Sequence, residues 1–192
     1  MLEDLGYEVT YLADEAVSLS FVRYNLTADV IYYNTHAGYW DTDGDNVSDS
    51  VIIGVGEKWT NDTPSKYPFE YSNGMIFEGT VGGESYVAFT PSFIEYYYDD
   101  FHGSLVYMAT CHATFDDSMA NAFLDANASV YMGWTKNTVF WTNSFTSVVA
   151  FKLFSMGFNV KQVCNIIRCG GIYNFIFRSK LTFFGDGNYK IQ

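Results

Sequence analysis

The chain has 192 residues, of which 48% are hydrophobic and 19% aromatic, with 16 Tyr and 17 Phe. That is enough apolar material for one domain with a sizeable core, and it argues against low-complexity disorder. Twenty-two acidic against ten basic side chains give a net charge of −12, which sets nucleic acid aside as a partner, and no apolar run reaches the roughly 18 residues of a membrane span.

In chain order, Met1-Leu2-Glu3-Asp4 lacks the basic-then-apolar layout of a signal peptide. Alternation over residues 7–12 predicts a short strand. Asp14 is the expected cap of a helix running to about Asn25, with Val17, Phe21 and Tyr24 on one face. The apolar run at residues 30–33 predicts a strand that ends at Asn34-Thr35-His36. Strand, helix and strand over this length predict a βαβ unit and a parallel pair.

Residues 41–102 break that rhythm and hold all three prolines. Residues 75–80 and 85–90 flank Gly82-Gly83 as a β-hairpin would, and residues 91–101 predict a helix leading back to the sheet. This stretch is read as a β-rich insertion within a single domain spanning 1–192.

The α/β rhythm resumes at residues 105–110, a buried strand ending at Cys111. Asp116 or Asp117 caps the next helix, whose Met119, Ala122, Phe123 and Ala126 share one face. Residues 129–134 predict a strand. A longer helix is marked by Phe145, Val149, Lys152/Leu153 and Met156 and stopped by Gly157. Another, marked by Val160, Val163, Cys164 and Ile167, is stopped by Gly170-Gly171. Residues 181–186 close the chain as a strand and turn. The pattern describes an α/β fold, a three-layer sandwich with a mostly parallel sheet.

Three cysteines do not make a disulfide framework. Cys164 and Cys169, five apart in a helical pattern, point to different sides of the helix, so Cys164 reads as a small buried apolar residue. Cys111 is different. In parallel sheets functional groups gather at the carboxyl ends of strands, and His36 and Cys111 each stand at such an end. A thiol attacks a carbonyl as a thiolate, an imidazole supplies that activation, and backbone N–H groups must face the developing oxyanion. Taken singly, a strand-end cysteine is more often inert packing and a strand-end histidine a loop residue. His112 would point away from Cys111 in a continued strand, and His102 reads as a surface residue.

Asp41-Thr42-Asp43-Gly44-Asp45-Asn46-Val47-Ser48-Asp49 is the sharpest short motif. Carboxylates of Asp41, Asp43 and Asp45 can converge on one hard cation, the Val47 carbonyl can add a ligand, and Asp49 can close the shell. The alternative is a solvated acidic turn, but four carboxylates in nine residues repel one another without a cation. Calcium is therefore expected, held with moderate affinity because Ile52 stands where an EF-hand carries its bidentate Glu. Sequons at Asn25, Asn46, Asn61 and Asn127, with the acidic surface, favour an extracellular or cell-surface location.

Thr35-His36-Ala37-Gly38 after an apolar strand resembles the strand–His–Gly motif of caspases, gingipains, clostripain and the separase-related CHAT peptidases. Residues 105–114, Leu-Val-Tyr-Met-Ala-Thr-Cys-His-Ala-Thr, resemble their strand–Cys motif. Residues 120–134 are similar to the helix and strand that follow the nucleophile in the gingipain and CHAT branches. Phe183-Phe184-Gly185-Asp186-Gly187 resembles the Gly-Asp-Pro signature near the end of gingipain-type domains, with Gly187 where proline is usual. The acidic loop resembles those of thrombospondin type 3 repeats and dockerins.

The resemblance implies a cysteine endopeptidase of protein or peptide substrates, with His36 as general base and acid and Cys111 as nucleophile. It implies an oxyanion held by backbone N–H groups at Cys111 and at Ala37 and Gly38, and a substrate pocket walled by Trp134. Ala37 stands where glycine is usual. Ala109 stands where clostripain-like enzymes carry an acidic residue, so basic-residue specificity is not implied. The family's first strand would precede residue 7, which makes a fragment, or part of a larger precursor, the expectation. The rival expectations are a catalytically inactive calcium-binding adhesion or scaffold module and an acyltransferase or other hydrolase using the same dyad.

Overall fold

β-branched and aromatic runs set the strands, and their two-residue alternation decides what covers each face of a sheet. The computed structural model describes residues 2–41, 50–169 and 178–191. The chain first forms α1 (Leu19–Asn25), β1 (Val30–Tyr33), β2 (Ala37–Trp40), β3 (Ser50–Lys58), α2 (Thr63–Lys66), α3 (Pro68–Ser72), β4 (Ile76–Val81) and β5 (Glu84–Phe89). It continues through α4 (Pro91–Tyr97), β6 (Leu105–Met108), α5 (Ser118–Asp125), β7 (Val130–Trp134), α6 (Phe140–Ser155), α7 (Val160–Cys169) and β8 (Leu181–Gly185).

These strands make two sheets, ordered β1-β6-β7-β8 and β2-β3-β5-β4. The first is parallel except for β8, which runs antiparallel to β7. The second is antiparallel throughout. In β6 and β7, Val106, Met108 and Tyr131 turn to one core shared with α1, α4, α5 and the second sheet. Leu105, Tyr107, Val130, Met132 and Trp134 turn to the other core, closed by α6 and α7. Helices thus cover both faces of the mostly parallel sheet, and the molecule is α/β as the pattern predicted. The predicted hairpin forms as β4 and β5 around Gly82 and Gly83, both at positive φ. The antiparallel sheet starts earlier than residue 41, however, because β2 follows His36 directly.

Several expectations are corrected. Residues 7–12 form no strand: Val9 and Tyr11 are exposed, and the segment joins no ladder. The βαβ unit therefore does not form, and β1 takes β6 as its parallel partner while remaining an edge strand. Asp14 does not cap the first helix; it opens a single 3₁₀ turn at Asp14–Ala16. That turn rests on β3 at Gly56, where a Cβ would lie 1.7 Å from the Asp14 carbonyl oxygen. The helix cap is Ser18, whose side chain accepts from the Phe21 N–H at 3.2 Å, and the buried residues are Leu19 and Val22, with Tyr24 exposed.

The face of α6 is also corrected. Phe145 and Met156 face solvent, and Thr142, Asn143, Thr146, Ser147, Ala150 and Phe151 face the sheet. Hydrogen bonds explain the inversion. Tyr32 Oη donates to Ser147 Oγ at 3.0 Å, and Asn143 bonds three strand ends. In α5 and α7 the predicted faces form, with Met119, Ala122 and Phe123 buried in one and Val160, Val163 and Cys164 in the other. Gly170-Gly171, the predicted stop of α7, lies outside the described residues.

Candidate active site

The parallel ladder of β1 and β6 ends with Tyr33 opposite Met108, and the Ala109 N–H donates to the Tyr33 carbonyl at 2.9 Å. Three residues beyond these paired ends stand His36 on one strand and Cys111 on the other. Adjacent strands run about 4.8 Å apart, so two residues 75 positions apart in sequence leave the sheet at matching steps. Both border one open cleft that runs along the edge strand β1 from Leu2 and Gly103 to the strand ends, about 2250 Å³ in all, and whose wall includes Tyr11, Tyr32, Gly38 and Phe140.

The histidine loop is pinned from the second sheet. The Gly54 N–H donates to the His36 carbonyl at 2.9 Å, while the Gly54 carbonyl accepts from Thr35 Oγ1 at 3.0 Å and Tyr33 Oη at 3.3 Å. The His36 side chain is exposed. Because His36 faces Gly54, antiparallel alternation turns the Gly38 peptide toward its partner Ile52 and the Ala37 peptide toward the free edge of β2. Of the two oxyanion donors predicted on the histidine side, Ala37 is therefore the one with an N–H left for a ligand. Nothing lies within 4 Å of where a Gly38 Cβ would sit, so the cleft is open there.

Cys111 is half-buried and opens a tight turn rather than continuing β6. The turn is fastened to the end of β7. The Thr114 N–H donates to the Trp134 carbonyl at 3.1 Å, Tyr131 Oη to the Ala113 carbonyl at 2.9 Å, and the His112 N–H to the Lys136 carbonyl at 3.2 Å. Gly133 permits this contact, since a Cβ there would meet the Ala113 Cβ at 2.5 Å. The sulfur itself meets the Thr138 peptide: it accepts from the N–H at 3.2 Å and donates to the carbonyl at 3.4 Å. His112 takes a positive φ of 54°, and its Nε2 lies 2.9 Å from Asn137 Oδ1. Its ring packs edge-on against Tyr39 of β2, with centroids 5.0 Å apart, so the histidine loop and the cysteine turn touch.

Buried polar atoms without a partner among the described residues gather here. They include Thr110 Oγ1, His112 Nδ1 and Thr138 Oγ1, the neighbours of Cys111 in sequence and through its sulfur. Buried polar groups are usually hydrogen-bonded, so these three atoms have capacity left for water or a ligand.

Trp134 sits elsewhere. It is 2% exposed, its indole N–H donates to Asn143 Oδ1 at 2.9 Å, and it belongs to the core under α6. The cleft wall beyond β7 is made by Asn137, Thr138 and Phe140. Asn143 was not singled out from the sequence, yet its amide nitrogen donates to Asn34 Oδ1 at 3.0 Å and the Ala109 carbonyl at 2.5 Å. One side chain thus ties the ends of β1, β6 and β7. Its signal was legible: small polar residues at 142, 143, 146 and 147 form a helical stripe.

Asp41 immediately follows β2. Asp43, Asp45, Val47 and Asp49 of the predicted calcium loop lie outside the described residues, and among the described residues no three His, Cys, Asp or Glu side chains gather around a common point. His102 is exposed and pairs with Asp100 at 2.8 Å, away from the dyad. Among the described residues no helix is long and apolar enough to cross a membrane. Comparison of the chain with models of protein families, with curated proteins and with solved structures finds no match in any of the three.

Proposed function

We propose that the chain is a cysteine endopeptidase domain of the caspase–gingipain type, with His36 and Cys111 as its dyad. The observation that carries this reading is the β1–β6 register, which gives the two residues equal overhangs on adjacent parallel strands above one cleft. In the reaction, His36 takes the thiol proton as the Cys111 sulfur bonds to the scissile carbonyl carbon. The oxyanion receives the N–H groups of Cys111 and Ala37. The imidazolium then protonates the departing amine, and water, deprotonated by His36, hydrolyses the thioacyl-enzyme. Phe140 and Tyr32 supply apolar surface on which substrate side chains rest.

Cleavage of a mixed peptide library tests this. His36→Ala and Cys111→Ala are each expected to lower the rate by about 10³-fold or more. Unchanged cleavage in either variant contradicts the dyad.

A second reading is favoured by one observation: the sulfur's hydrogen bonds go to Thr138 rather than to His36. On that reading the domain is an inactive adhesion or scaffold module, and no library member is cut. Both readings keep calcium at Asp41, Asp43, Asp45, Val47 and Asp49, a segment that begins five residues after His36, so that bound calcium holds the histidine loop in place. Removing calcium with a chelator is expected to lower the melting temperature and, in the enzyme, the cleavage rate. An extracellular setting agrees with both readings, since Asn25, Asn61 and Asn127 of the sequons are exposed.

A further inference from the structure

Charge is divided along the chain far more sharply than its net value shows. Residues 1–125 hold 21 acidic and three basic side chains, whereas residues 126–192 hold seven basic side chains and a single acidic one, Asp186. Residues 126–185 contain no Asp or Glu at all. The second part supplies α6 and α7, which cover one face of the mostly parallel sheet, and its edge strand β8. The three cations of the first part are each paired with a carboxylate, Arg23 with Glu70, Lys58 with Glu84 and Lys66 with Glu57. None of the seven in the second part pairs with a carboxylate among the described residues.

The same face carries exposed apolar side chains in register. Along α6, Trp141, Val148 and Met156 recur at helical spacing with Lys152 among them, and they are 80%, 56% and 62% exposed. Phe140, beside Trp141, is 67% exposed. The helix cannot roll to hide them, because Asn143 and Ser147 on its opposite side are committed to the strand ends and to the Tyr32 and Tyr107 hydroxyls. An apolar stripe of this kind on a fixed helix marks an interaction surface.

We propose that the α6 face docks on an anionic lipid surface. Trp and Phe side chains seat at the headgroup level, while Lys152 among them and the other cations of residues 126–192, which lack a carboxylate partner among the described residues, meet the lipid charge. A second copy of the chain fits worse: a two-fold contact would press two positively charged layers together, and a head-to-tail contact of the basic face on the acidic part would not close. The lipid reading stands apart from peptidase activity. It orients the cleft, because α6 starts two residues after Thr138, which holds the Cys111 sulfur, and Phe140 is shared by the cleft and the docking face.

Co-sedimentation of the purified chain with vesicles tests the proposal, comparing phosphatidylcholine alone with phosphatidylcholine containing phosphatidylserine. Binding is expected only with phosphatidylserine and is expected to fade as salt rises. Trp141→Ala/Val148→Ser and, separately, Lys136→Glu/Lys152→Glu should each reduce the bound fraction by about tenfold. Circular dichroism of each variant verifies that the fold is kept, and a variant that does not fold is replaced by the single exposed change Lys152→Glu. Three results overturn the proposal: no binding above that to phosphatidylcholine, binding unaffected by these substitutions, or self-association through Trp141 and Val148 in vesicle-free solution.

Discussion

Cys111 and Cys164 are the same side chain in opposite surroundings. Cys164 lies fully buried between α7 and the sheet, among Tyr107, Phe154 and Val160, and desolvation pushes its thiol up to about 12. Cys111 is half-buried at the strand ends, bonded to Thr138, flanked by buried polar atoms without partners among the described residues, and open to the cleft that His36 shares. The first environment stabilises an inert neutral thiol and contributes to packing. The second spends little on packing and leaves the sulfur reachable, as a reacting group requires. Burial and polar neighbours, rather than residue type, separate the two thiols.

The largest change expected from breaking this division comes from the residue that supports the Cys111 end. Asn143→Ala removes three hydrogen bonds and leaves the Trp134 N–H and the Ala109 carbonyl without that partner. A loss of about 2–4 kcal/mol is expected in urea unfolding, together with slower cleavage as the ends of β1 and β6 loosen.

At the Cys164 end the effect is pH-dependent. The thiol's value rises from 9.0 in the reference state to about 12 in the folded one. The unfolded chain therefore releases this proton first, and stability present below about pH 9 is lost as pH rises toward 12. Across that window Cys164→Ala should flatten the fall of stability by about 1.4 kcal/mol per pH unit. Equal slopes in the two proteins would contradict the buried neutral thiol. The smallest effect is expected for Cys111→Ala, within about 1 kcal/mol of the parent protein's stability, since its sulfur makes only weak hydrogen bonds.

Much of this organisation is legible in the sequence because it is local. The runs at residues 30–33, 105–108 and 130–134 are strands because they are β-branched or aromatic and apolar, and they bring His36 and Cys111 to strand ends. The faces of α5 and α7 follow from helical periodicity. What periodicity misses is what only tertiary contact decides. Residues 7–12 alternate correctly but find no strand to pair with. Phe145 and Met156 of α6 satisfy the helical period, yet the hydrogen bonds of Asn143 and Ser147 turn them outward and leave Ala150, Phe151 and Phe154 to face the sheet. Trp134 follows the cysteine strand as a pocket residue would, but the odd phase of β7 points it into the core with Val130 and Met132. The β2–β3 hairpin that begins at Ala37 was hidden because two small residues and two aromatics carry no clear alternation.

The central claim is that His36 activates the Cys111 thiol, and the most direct measurement is the rate of iodoacetamide alkylation of Cys111, followed by peptide mass mapping, in the native protein and in His36→Ala. The account predicts fast labelling at Cys111 near neutral pH, a drop of at least about tenfold in His36→Ala, and no labelling of Cys164 before unfolding. Equal Cys111 rates in the two proteins, with both folded, would contradict it.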